Sequence, residues 1–81
     1  MENITATAEV NERQVEMMVG KAMCAYANAV NFNKVNPDSK NVTACMSEYE
    51  ATIRCLEMFV NENIYAIQRA IIARAEEEFG L

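Results

Sequence analysis

An apolar pattern holds one phase from Val42 to Phe79, and it limits what this chain can fold into more than any other feature. One track steps by sevens through Met46, Ile53, Val60 and Ile67. A second, offset by three, reads Val42, Tyr49, Leu56, Asn63 and Ala70. Alternating steps of three and four return to the same side of an α-helix, so the two tracks form one stripe for a neighbouring helix to cover. A third track, Ala51, Met58, Tyr65, Ile72 and Phe79, runs along the opposite side. Such a helix is apolar on two faces, and one short partner cannot cover both.

Two glycines and one proline in 81 residues leave few places to turn, which favours a few long helices over many short strands. The length predicts a single helical domain over 1–81, with a core small enough to need support. Disulfides, a metal or oligomerisation are the usual remedies. Three cysteines are an odd number, and the start of the chain lacks the basic-then-apolar order of a secretion signal. The absence of histidine excludes a Cys/His zinc site. Oligomerisation is the remedy left, in a cytoplasmic protein. A net charge of −5 disfavours nucleic acid and anionic membrane as partners. The longest uncharged stretch, Ala22 to Asn33, is too short and too polar to span a bilayer.

The spacing predicts a first helix over about residues 6–31, a turn over about 32–40 and a second helix over about 41–79. Thr5 or Thr7 can cap the first, with Glu9 and Glu12 near its positive end. Its stripe is Val15, Met18, Val19, Ala22, Tyr26 and Ala29. The small side chains of Ala22, Ala25, Ala27 and Ala29 would let a neighbour approach closely. Val10, Met17 and Cys24 form a weaker far-side track. Gly20 reads as a tolerated glycine rather than as a kink or a close helix contact.

The segment Asn31 to Ser39 is the clear connection, and Asn36-Pro37-Asp38 within it can start a helix between 37 and 42. Asn61-Glu62-Asn63 is the one candidate break in the second helix. The unbroken phase through Leu56, Val60, Ile64 and Ile67 favours continuity, giving a helix of roughly 56 Å that overhangs the first. Asn63, polar on an apolar stripe, reads either as a register-setting seam residue or as a break. Gly80 fits a left-handed C-cap.

Catalysis finds little support. Without histidine, Ser39 and Ser47 lack the usual base, and Cys24, Cys45 and Cys55 lack a Cys–His pair. Cys45 and Cys55 lie about 15 Å apart along an intact helix, too far to share a metal or a disulfide. Glu9, Glu12 and Glu16 share a solvated ridge, and Glu76-Glu77-Glu78 a solvated terminus. No phosphate loop, HExxH or calcium loop is present.

The expected fold is therefore all-α: an antiparallel helical hairpin with a long second helix, dimerising into a helical bundle. The alternative is a monomeric three-helix bundle, with the third track as ordinary core. The expected function is a non-enzymatic protein–protein interaction module, a regulator or inhibitor, without catalytic, metal or cofactor residues. A structural, self-assembling subunit is the alternative, and a metal or cofactor carrier a third. The residues expected to carry self-association or partner binding are Met17, Cys24, Tyr49, Leu56, Met58, Val60, Asn63, Tyr65, Ile67, Ile72 and Phe79.

Overall fold

The computed structural model describes residues 12–81, and these fold into three α-helices with no strand among them. Helix α1 spans Glu12–Val35, α2 spans Lys40–Phe59 and α3 spans Ile64–Phe79. The expected Thr5 or Thr7 cap, Glu9 and Val10 lie outside the described residues.

Helix α1 ends in a turn built by side chains that compete with the helix for backbone groups. The Asn36 amide donates to the Phe32 carbonyl at 2.9 Å. The Asn36 side chain then accepts from the Asp38 amide at 3.1 Å, and the Ser39 amide donates to the Asn36 carbonyl at 3.0 Å. Pro37, with no amide hydrogen, fits between them. Ser39 is the N-cap of α2, and its hydroxyl accepts from the Asn41 amide at 3.1 Å. Asn36 thus shapes the turn, and Ser39 performs the capping that Asn36 was expected to provide. The helix starts inside the expected 37–42 window.

The single second helix expected over about 41–79 does not form. Helix α2 stops at Phe59, Val60 and Asn63 adopt extended backbone, and α3 restarts at Ile64. The reason is local hydrogen bonding. The Asn63 side chain accepts from the Ala66 amide at 2.9 Å, and the Glu57 carboxylate accepts from the Ile64 amide at 3.1 Å. Two of the four amides that a helix start leaves unpaired are thereby satisfied. Asn63 is a cap, exposed to solvent, and sets no register within a buried seam. The phase carried across the break because each short helix needs its own apolar stripe, and a stripe does not require a continuous backbone.

The core draws on all three helices. Val15, Val19, Ala22, Met23 and Ala25 come from α1, Tyr49, Ile53 and Leu56 from α2, and Ile67, Ile71 and Ala75 from α3. Val60, in the connection, is buried with them. Met18, Tyr26, Met46, Ile64 and Leu81 pack against this cluster from its edge. The alanines expected to permit close approach, Ala22, Ala25, Ala27 and Ala29, are all buried. Met23 is buried too, off the expected stripe, so α1 is covered over a wider arc than a two-helix contact needs.

Two polar contacts register the helices. Arg74 of α3 reaches Glu16 of α1 with both terminal nitrogens, each at 3.1 Å, and its Nε lies 3.4 Å from Glu78. Lys21 of α1 lies 3.9 Å from Glu48 of α2, both well exposed. Gly80 closes α3 in the left-handed region at φ 67°, and the Leu81 amide donates to the Glu76 carbonyl at 3.1 Å. That closure folds Leu81 back onto the core.

Candidate interaction surface

The residues expected to carry association divide into two groups. Tyr49, Leu56, Val60 and Ile67 are buried within the single chain, where they hold α2 and α3 to the bundle. Their stripe is consumed by the fold and is not an external surface. Met17, Cys24, Met58, Tyr65 and Phe79 face solvent, and Ile72 is half-buried. The third heptad track thus stays on the outside although the helix carrying it is broken. It is not the ordinary core that a three-helix arrangement was expected to make of it.

The exposed group has a clear centre of gravity. Met58 is 77 % exposed and Tyr65 is 70 % exposed, and they stand on either side of the α2–α3 connection. Phe59, also partly exposed, belongs to the same end of α2. Met17 is 68 % exposed on α1, and Phe79 lies near the end of α3. Single exposed apolar side chains are normal on any protein. Several large ones, methionine and aromatics among them, suit contact with another protein, because such side chains are enriched at interfaces. Phe32 and Val35, at the far end of α1, are further exposed apolar residues that the sequence pattern did not single out. They fall where the α1 stripe gives way to turn residues, and periodicity carries no signal there.

The polar chemistry around these positions is structural. Arg74 is held in its charged form, its pKa raised first by the hydrogen bond to Glu16 and then by the charges of Glu16 and Glu78. Tyr49 is the one strongly shifted group. Burial pushes its phenol up to about 12, with smaller contributions from Tyr26 and Glu50. Its hydroxyl is buried without a hydrogen-bond partner among the described residues. The ring packs on Tyr26 at 5.7 Å between centroids, tilted by 47°. Thr52, the one buried polar residue in the described core, is satisfied by donating to the Glu48 carbonyl at 2.8 Å.

Cys24 and Cys55 are exposed and Cys45 is half-buried, and none is paired with another. Cys45 and Cys55 lie on the unbroken length of α2, which keeps them apart as expected. Among the described residues no three Cys, Asp or Glu side chains come together as a metal site, and no helix is long and apolar enough to cross a membrane. Compared with models of known families, with curated proteins and with solved structures, the chain matches none.

Proposed function

We propose that this protein is a non-enzymatic protein–protein interaction module, a small regulator or inhibitor that binds through the apolar side chains around the α2–α3 connection. The observation that carries this reading is the exposure of Met58 and Tyr65, large apolar groups on a small bundle whose core is already closed without them. Met17, Cys24, Ile72 and Phe79 extend the same surface. The polar groups described above have structural partners or are buried, which leaves contact surface as the chain's main external chemistry. A net charge of −5 argues for a protein partner over nucleic acid. Three unpaired thiols suit a reducing compartment such as the cytoplasm.

The test is capture of a partner from the native host by the tagged protein, compared with a Met58→Glu, Tyr65→Glu variant. Retention by the wild type and its loss in the variant is the expected result. Equal retention by both proteins would remove this surface from consideration. A structural subunit, the other expected role, differs in a measurable way: its assembly proceeds beyond a dimer at micromolar concentration.

A further inference from the structure

The four-residue connection from Val60 to Asn63 has the properties of an exchange hinge, and we propose that two copies of the chain dimerise by trading α3. The proposal rests on the interaction-module reading and names a second copy as the occupant of the surface.

The connection can straighten. It contains neither glycine nor proline, and among the described residues only Gly80 has a positive φ. Each of its residues can therefore exchange extended for helical backbone without strain. The contacts that hold the bend are two hydrogen bonds at exposed sites, Asn63 to the Ala66 amide and Glu57 to the Ile64 amide. A helix passing through the connection satisfies the same two amides with its own carbonyls. The apolar stripe is already in phase across the join, so the straightened element, roughly 60 Å long, keeps one coherent face.

Straightening carries α3 away from its own α1 and α2. It bares the places of Ile67, Ile71 and Ala75, each fully buried in the single chain, and leaves Glu16 without Arg74. The α3 of a second copy restores every one of these contacts, including the opposite charges of Arg74 and Glu16. Exchange of an identical element is a low-cost route to a dimer for this reason.

Exchange also adds a contact. Met58 and Tyr65 are seven residues apart, so on a straightened helix they stand two turns apart on nearly one side. In a two-fold dimer the two straightened connections cross, bringing this pair from each copy together. The new contact is continuous with the α3 interface through Val60 and Ile67, both buried. It covers the two most exposed apolar side chains that flank the hinge.

The test uses the full chain with Cys24→Ser, Cys45→Ala and Cys55→Ser, carrying Glu16→Cys and Arg74→Cys. A short bis-maleimide links the new pair, and the products are sized by light scattering and on a denaturing gel. Exchange predicts a dimer whose link joins two chains. Asn63→Ala in the native sequence, which removes the cap and favours the straight helix, should tighten the dimer by roughly tenfold. A dimer whose links stay within each chain overturns exchange and leaves the interaction surface standing. Monomers at the highest concentration reached, in both the wild type and Asn63→Ala, also overturn exchange. The surface is then judged separately, by partner capture with the Met58→Glu, Tyr65→Glu variant. Should the cysteine pair unfold the chain, small-angle scattering of Asn63→Ala decides: an elongated dimer supports exchange, and a compact monomer or a pair of compact bundles overturns it.

Discussion

Two residues in the interior carry opposite lessons about cost. Gly20 lies in the middle of α1, and a methyl group added there meets no atom within 4 Å. The close helix contact that would have required glycine is absent, and the residue gives up helix propensity without a packing return. Gly20→Ala should therefore stabilise the protein by about 1 kcal/mol, raising the melting temperature by roughly 4–8 °C in a thermal scan. Tyr49 packs well as a ring but buries a hydroxyl without a partner. Tyr49→Phe keeps the ring and removes the orphan, so it should stabilise by about 1 kcal/mol in denaturant titration. The same residue sets an alkaline limit. Its folded pKa of about 12 lies above the model value of 10.0, so the unfolded chain releases this proton first. The contribution is intact below pH 10 and is lost as pH rises from 10 toward 12, at up to about 1.4 kcal/mol per pH unit. Tyr49→Phe should flatten that part of the stability profile.

At the scale of elements, the sequence showed which faces are apolar and concealed where the second helix ends. Val15, Val19 and Ala22 on α1, and Leu56 and Ile67 farther along, are buried as the stripe required, because periodicity reports the side each residue must hide. The break was concealed because it turns on single hydrogen bonds from Asn63 and Glu57, and these change no apolar spacing. The cluster Asn61-Glu62-Asn63 was its visible trace, and capping asparagine was the principle that prevailed over phase. The separation of core from surface within the apolar set was equally hidden. Tyr49 and Tyr65 both sit on sevenfold tracks, yet one is buried and the other faces solvent. Helix α3 is tied to α1 by the Arg74–Glu16 pair, whose arginine side chain is only 25 % exposed. Arg74→Ala should lower stability by about 0.5–1 kcal/mol, after allowance for solvent at the glutamate. In hydrogen exchange, α3 should lose protection before α1 and α2 do. Lys21→Ala, which removes the longer and more exposed contact to Glu48, should change neither measurement.

For the whole molecule, the argument concerns a bundle that closes its core and still leaves large apolar side chains outside. A residue in the core cannot be made acidic without unfolding the chain, whereas one that serves only as contact surface can. Met58→Glu with Tyr65→Glu separates these roles. At 77 % and 70 % exposure, neither side chain contributes much to the closed bundle. The substitutions add two negative charges, taking the net from −5 to −7. The isolated bundle should keep its helical circular dichroism and its unfolding free energy to within about 0.5 kcal/mol. Association should respond quite differently, because a carboxylate on each side of the connection must be desolvated beside its symmetry mate when two copies meet there. Melting followed over a dilution series reads both effects at once. For the wild type the midpoint should rise with protein concentration, as it does whenever folding is linked to dimerisation. For the variant it should be independent of concentration and equal the wild-type value at high dilution. A variant that melts far below that value would mean that Met58 and Tyr65 support the single bundle, and their exposure would then be no mark of an interface.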